Sequence, residues 1–266
     1  MTGIGIAGSG RIARSFAARL VEAGLRIRTF GVATPDGAAD RSVRAAQRFV
    51  SGLETMVLVP ADIAETEALL FEDQGFVRNS RSLTTIVLVA TLSPRYVRAL
   101  RGRIDRRIVL IDAPAIGTAR TADAGGLTLF LGGPQDHIAA LRPLFDIISK
   151  KTVRMGGFGS AMAAKVMNDF LSATTTAVTR IALDWAEAQG IDEARIVELA
   201  GRGGDGLDRP EDAPTHCPIG QQTEDSITLL IQEVEQAFDT ALAGAHLTPP
   251  RAYEDVMRSM KTRHLH

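Results

Sequence analysis

Short apolar runs separated by amphipathic stretches fill the first half of the chain, and longer helical patterns fill the second. IGIAG (4–8) is the first run, and the segment RIARSFAARLVEAG after it carries apolar residues at helical spacing and ends on Gly24, a residue suited to a helix stop. LRIRTFGV (25–32) predicts a second strand, and Thr34-Pro35-Asp36 the start of another helix. TMVLVP (55–60), TTIVLVA (84–90) and RIVLIDAP (107–114) are dense in Val and Ile, which suits strands covered on both faces of a parallel sheet. LTLFLGG (127–133) adds one more strand. Alternating β and α units predict a doubly wound parallel sheet, an α/β fold.

After about residue 156 no further strand is predicted, and helical patterns cover about 159–189, 192–201, 222–244 and 249–262. The chain therefore divides into an α/β part, residues 1–155, and an all-α part, residues 156–266. The interruption GRGGDGLDRPEDAPTHCPIG (201–220) is rich in Gly, Pro and Asp and reads as an irregular loop. The long helix over 159–189 is apolar on more than one face, which predicts cover by another element or a second subunit.

Composition removes several classes of function. With 45% hydrophobic and 23% charged residues the chain has the make-up of an ordinary globular protein. A net charge of −1 supplies no electrostatic ground for nucleic acid or an anionic membrane as partner. No apolar run reaches about eighteen residues, the length of a spanning helix. A single cysteine, Cys217, excludes an intramolecular disulfide and fits a reducing compartment, and the N-terminus lacks a basic and then apolar leader pattern. A cytoplasmic location is expected.

GSGRIA (8–13) lies between the first strand and the first helix, giving G-x-G-x-x-A. Gly8 permits the tight turn, and Gly10 lets backbone N–H groups approach a pyrophosphate. Ala13 keeps helix and strand close, and the helix N-terminus supplies a positive dipole end. Ser9, Arg11 and Ile12 complete the candidate cofactor loop. The ribose-reading residue should follow roughly 20 positions on. That stretch holds Gly31, Val32 and Ala33, with no Asp or Glu to hold the 2′-hydroxyl of NAD. Arg11, Arg41 and Arg44 are the basic residues that folding could bring to a 2′-phosphate, so the expected cofactor is NADP or NAD, with NADP favoured.

Lysine is scarce: only Lys150, Lys151, Lys165 and Lys261 occur among thirty basic residues. Lys150 and Lys151 read as a solvated helix end and Lys261 as part of a polar tail. Lys165 sits inside an otherwise apolar helical stretch, where an ammonium is costly without a partner or a task. It either snorkels from a half-buried face or works as a proton-transfer group, a role open to lysine and closed to arginine.

These segments together resemble the β-hydroxyacid dehydrogenase family, which includes 3-hydroxyisobutyrate dehydrogenases and is related to 6-phosphogluconate dehydrogenases and imine reductases. In matching order, IGIAGSGRIA is similar to the opening cofactor loop. ETMVLVPAD (54–62) is similar to a third strand whose Val59 and Pro60 end beside the cofactor. VATLSPRYV (89–97) is similar to the Ser-Thr-x-Ser-Pro segment near the nicotinamide, with Thr91 kept and Ala90 in place of serine. IDAPAIGTARTADAGGLTLFLGG (111–133) resembles the substrate loop Asp-Ala-Pro-Val-Ser-Gly-Gly and its following strand, and GFGSAMAAKVMND (157–169) the catalytic helix. VEQAFDTALAGAHLTPP (234–250) is similar to a late helix ending in a Pro-containing loop.

The resemblance implies an N-terminal Rossmann domain and an all-α C-terminal domain joined by the long helix, a site in the cleft between them, and a homodimer formed through the helical domain. It makes Lys165, with Asn168 and Asp169, the catalytic group, and Ile116, Gly117 and Thr118 the substrate loop. Lys165 would protonate the oxygen when a carbonyl is reduced and take the proton when an alcohol is oxidised. Asp169 lies one helical turn from Lys165, and a carboxylate so placed favours the charged ammonium, so reduction is the expected direction.

The departures bear on the substrate. Ile116 stands where the family's serine donates a hydrogen bond, leaving backbone N–H groups and the Thr118 hydroxyl as donors. Asp169 replaces a second asparagine, and Gln232-Glu233 a Lys-Asp pair. A bulkier or less oxygenated ligand than a small hydroxy acid is expected. Imine reductases usually carry Asp or Tyr where this chain has Lys165, so the lysine favours carbonyl chemistry, with imine reduction as the alternative. A non-catalytic NAD(P)-binding protein is the alternative from another class. Asp205, Asp208, Glu211, Asp212, His216 and Cys217 match no metal-ligand spacing and read as a solvated loop, so no metal is expected. Glu224 and Asp225 read as helix caps or site-facing groups, and His264 and His266 as a polar tail.

Overall fold

The computed structural model describes residues 3–32, 43–192 and 194–195. The chain divides into two compact units, Met1–Val166 and Met167–His266. Strand β1 (Ile4–Ala7) is followed by α1 (Arg11–Glu22), β2 (Ile27–Phe30), α2 (Val43–Val50), β3 (Thr55–Leu58), α3 (Ile63–Leu70) and α4 (Phe76–Asn79). Then come β4 (Thr85–Leu88), α5 (Pro94–Arg103), β5 (Val109–Asp112), β6 (Ala115–Ile116), α6 (Ala119–Asp123) and β7 (Thr128–Gly132). Helices α7 (Gln135–Ala140) and α8 (Arg142–Ile148), strand β8 (Lys151–Gly156) and the long helix α9 (Ser160–Ala188) complete the described elements. The helix start expected at Thr34-Pro35-Asp36 and the helices expected beyond about residue 196 lie outside the described residues.

The sheet runs in the order β2-β1-β3-β4-β5-β7-β6, with β8 paired to β7. Strands β2, β1, β3, β4 and β5 are parallel, as the alternating β/α pattern predicts. Beyond β5 the sheet becomes mixed: β7 runs antiparallel to β5 and β6, and β8 parallel to β7. The segment between β5 and β7 holds only a two-residue strand and a five-residue helix. A parallel return is usually made through a full crossover helix.

Strand β8 corrects the reading of Lys150 and Lys151 as a helix end. Helix α8 stops at Ile148, the N–H groups of Lys150 and Lys151 both donate to the Leu127 carbonyl, and Lys151 opens the strand. None of its six residues is buried, so it carries little of the apolar signal that marks a strand in the sequence.

Successive residues of the parallel strands face opposite sides, and both sides are covered. Ile6, Val57, Val87 and Ile111 pack with Phe16 and Leu20 of α1 and Leu144, Phe145 and Ile148 of α8. Met56, Leu58, Ile86 and Leu110 pack on the other side with Phe30, Phe49, Phe76, Leu69 and Leu100. Three rings close that second layer: Phe76 stands edge-on to Phe30 at 5.1 Å and tilted against Phe49 at 4.9 Å. In the second unit α9 buries Leu183 and Ala186 and exposes Met167 and Leu171.

Removing the ring shared by both aromatic pairs should cost the most. Phe76→Ala is expected to lower unfolding stability by about 3–5 kcal/mol, read as a fall in the urea midpoint. A loss under about 1 kcal/mol, far below the usual cost of a large-to-small core change, would show that the second layer does not depend on this trio.

Candidate active site

Register brings the loops that carry Gly8–Gly10, Val59–Pro60 and Thr91 to one edge of the sheet. Phe30, Ala7, Leu58, Leu88 and Asp112 lie in one row across the five parallel strands. The row continues through Gly132, paired with Asp112, to Gly156, four residues before α9 begins. The loops leaving this row are Gly8–Gly10, Val59–Asp62 and Val89–Ser93, all at the carboxyl ends of parallel strands. Strand order reverses between β1 and β3, the crevice where open α/β sheets bind ligands.

Gly8 is buried at that crevice with φ of 148°, and a Cβ there would overlap the Val59 carbonyl oxygen. Its N–H donates to the Phe30 carbonyl at 3.0 Å, pinning the loop to β2. Gly10 precedes α1 in extended conformation, and no side chain caps the helix. A Cβ on Gly10 would meet nothing within 4 Å. Unpaired first-turn N–H groups facing open space make a cradle for an anion, so the residues present fit a dinucleotide pyrophosphate. Ser9 and Arg11 are exposed, and Ile12 is half-buried against the core.

Pro60 and Val59 are buried at the end of β3, and Thr91 is exposed after β4. The helices behind these two loops are fastened side by side. Glu67 of α3 accepts from the Tyr96 hydroxyl at 2.7 Å and from both terminal nitrogens of Arg103 on α5, which also stacks on Phe71 at 4.0 Å. The Arg103 hydrogen bonds hold the Glu67 carboxyl below the usual carboxylate range, against the opposing effect of burial. Helix α3 also closes its own N-terminus, since Asp62 accepts from the Glu65 N–H and Glu65 accepts from the Ala61 N–H, both at 2.7 Å.

Ile116 is half-buried and pairs with Thr128 of β7; Gly117 and Thr118 are exposed. The Thr118 hydroxyl caps α6, accepting from the Thr121 N–H at 3.2 Å and lying 3.0 Å from the Thr121 hydroxyl. Lys165, Asn168 and Asp169 all lie on α9 and are half-buried. Arg44 is exposed on α2, Arg41 lies outside the described residues, and β2 is followed by Gly31 and the buried Val32.

Sequence reasoning assigned no role to Asp112, a fully buried carboxylate at the end of β5. Its two oxygens accept from the Gly159 and Met162 N–H groups, each at 2.7 Å, at the entrance of α9. Burial pushes its carboxyl above the usual carboxylate range, and the hydrogen bonds from Gly159, Met162 and Ala161 oppose the shift. The available signal was the charge ending the apolar run IVLID. Among the described residues no three His, Cys, Asp or Glu side chains gather as metal ligands, and no helix is long and apolar enough to cross a membrane. The loop 201–220, Gln232-Glu233, Glu224, Asp225 and the C-terminal histidines lie outside the described residues.

Comparison with known proteins agrees with this architecture. The family described as the NAD binding domain of 6-phosphogluconate dehydrogenase matches residues 3–157. The NAD-dependent L-serine dehydrogenase of Pseudomonas aeruginosa is 26% identical over 212 residues, covering 77% of this chain and 71% of that protein. The 3-hydroxyisobutyrate dehydrogenase of the same organism is 26% identical over 206 residues, covering 75% of this chain and 69% of the relative. A solved structure of Mycobacterium tuberculosis 3-hydroxyisobutyrate dehydrogenase with L-serine superposes with a TM-score of 0.78 at 22% identity, covering 100% of this chain and 95% of that one, a likeness of fold.

The two loop glycines should separate stability from binding. Gly10→Ala is expected to fold with stability lowered by about 1 kcal/mol or less while weakening NAD(P)H binding at least tenfold. Gly8→Ala is expected to lower stability itself, because its methyl meets backbone. Fluorescence titration of NAD(P)H and thermal melts read both; unchanged cofactor affinity in Gly10→Ala would contradict the cradle.

Proposed function

The chain belongs to the family of the NAD binding domain of 6-phosphogluconate dehydrogenase, and on that premise we propose that it reduces a carbonyl compound to its alcohol with NADPH, Lys165 donating the proton. Its relatives are named as dehydrogenases and reductases, and it is an NAD(P)-dependent oxidoreductase. The observation that carries the finer reading is the single row of strand ends: the Gly8–Gly10 loop, Pro60, Thr91 and the entrance of the Lys165 helix leave one sheet edge.

Gly8, Ser9, Gly10, Arg11 and Ile12 would hold the pyrophosphate on the open N-terminus of α1, and Val59, Pro60 and Thr91 would line the rest of the cofactor's site. A bound nicotinamide supplies the hydride that the carbonyl carbon accepts. Lys165 gives a proton from Nζ to the carbonyl oxygen as that bond reduces, and water restores it. Asn168, three residues on, orients the oxygen, and Asp169 serves the same helix face. NADP is favoured because β2 is followed by Gly31 and Val32 with no carboxylate, and because Arg11 is exposed beside the cradle. Ile116 offers an apolar wall, which favours a substrate less oxygenated than a small hydroxy acid. Met167 and Leu171, exposed four residues apart on α9, support a homodimer formed through the helical part.

The test is Lys165→Ala assayed with ketoacids, aldehydes and cyclic imines. NADPH affinity should stay within about threefold and turnover should fall about 10²-fold or more, the scale of a lost general acid. Undiminished turnover removes Lys165 from the chemistry. Turnover confined to cyclic imines would move the reading to C=N reduction, and tight binding without turnover to a non-catalytic protein. NADPH should bind more tightly than NADH; equal affinity contradicts the cofactor choice.

A further inference from the structure

We propose that Asp112 is the positioning residue for Lys165: its buried carboxylate ties the entrance of α9 to the end of β5 and so sets where the lysine stands. The proposal rests on the reading of Lys165 as proton donor. It concerns how the fold places that donor, and its test is separable from turnover.

Four observations converge on the junction. Asp112 is 0% exposed and spends both oxygens at the entrance of α9, on Gly159 just before the helix and on Met162 in its first turn, residues 47 and 50 positions away in the chain. A local cap would have served the helix alone, as Asp62 serves α3. A carboxylate reaching from a strand instead fastens helix to sheet. Next, Gly132 faces this contact so closely that a Cβ would overlap Asp112 Oδ1 and lie 2.8 Å from the Gly157 carbonyl oxygen and 3.0 Å from the Ala161 nitrogen. Backbone packed this tightly leaves the helix entrance no room to slide. Third, Met162, also 0% exposed, accepts the Leu92 N–H on its sulfur at 3.2 Å, which ties the same helical turn to the loop carrying Thr91. Finally, Lys165 lies three residues beyond Met162, so one turn of rigid helix separates the anchor from the lysine.

The leverage is geometric. Side chains reach about 5–6 Å from a helix axis, so a rotation of about 10° at the entrance carries a side-chain tip about 1 Å. A displacement of about 1 Å can cost on the order of 10²-fold in rate. A neutral amide at 112 would keep one carbonyl acceptor but turn its NH2 toward a backbone N–H, so one of two anchors is lost and a donor faces a donor. Asp112→Glu keeps the charge but adds a methylene where Gly132 leaves no space. A role in charge alone would be rescued by glutamate; a role in position would not.

The experiment uses the full chain with lysine labelled with carbon-13 at the ε carbon, where four lysines give four signals assignable with Lys165→Arg. In Asp112→Asn the Lys165 signal should move while those of Lys150 and Lys151 stay, and amide exchange over residues 159–166 should quicken at least tenfold. NADPH affinity should remain within threefold. On whichever carbonyl substrate is turned over, kcat should fall at least tenfold with KM within threefold, and Asp112→Glu should not restore it. An unmoved Lys165 signal with kcat within twofold of the parent overturns the proposal, as does full rescue by glutamate. Should Asp112→Asn not fold, Gly132→Ala decides: its added Cβ would overlap Asp112 Oδ1 and so displace the carboxylate without removing its charge. It should move the Lys165 signal, and a stationary signal overturns the proposal. Absence of turnover on every substrate would count against the proposed function and leave the signal to judge the anchor. A stationary signal beside an inactive Lys165→Ala would sink the anchor and leave that function standing.

Discussion

A carboxylate taken fully out of water must find donors or give up its charge, and Asp112 finds them at the first turn of α9. That contact joins the two kinds of element in the first unit. The strand ends fix where a ligand can lie, and α9 carries the only lysine outside the β8 junction among the described residues. Gly132 lets the carboxylate approach, and Met162 carries the constraint to the loop after β4. Everything proposed for Lys165 assumes a helix that enters the site at a fixed place and pitch.

The helix N-termini at this sheet edge are finished in different ways, and the differences follow the chemistry. Helix α3 satisfies itself, with Asp62 accepting from the Glu65 N–H and Glu65 from the Ala61 N–H at its first turn. Helix α9 is satisfied from outside by a buried anion of the protein. Helix α1 begins at Gly10 with no side-chain cap and open space above it. An N-terminus already neutralised by a carboxylate has no use for a phosphate, whereas an open one attracts it. Of these three, α1 is the one we propose for the cofactor, and the family match over residues 3–157 supports that reading.

Much of this was legible in the sequence where the signal is local. The Val- and Ile-rich runs declared β3, β4 and β5 because both of their faces are buried, and the helix expected over about 159–189 is observed as Ser160–Ala188. The glycine spacing placed the Gly8–Gly10 turn because the constraint lies within three residues. Strand β8 was not legible, since an unburied strand shows little apolar periodicity. The mixed order beyond β5 was equally hidden, because strand direction depends on pairing and not on composition. The Thr118 hydroxyl, read as a substrate donor, also accepts the Thr121 N–H at the start of α6, a contact the motif does not announce. Asp112 stood inside the quoted Asp-Ala-Pro segment without a role, because its partners lie 47 and 50 residues downstream and are backbone groups.

The central claim is hydride transfer at this sheet edge, and isotope transfer tests it most directly. The protein would be incubated with NADPH deuterated at the transferable C4 position and with ketoacids, aldehydes and cyclic imines, and the products analysed by mass spectrometry. The account predicts an alcohol carrying one deuterium on its carbinol carbon, formed by the parent protein and lost in Lys165→Ala. Tight NADPH binding with no deuterium leaving the cofactor for any substrate would contradict it.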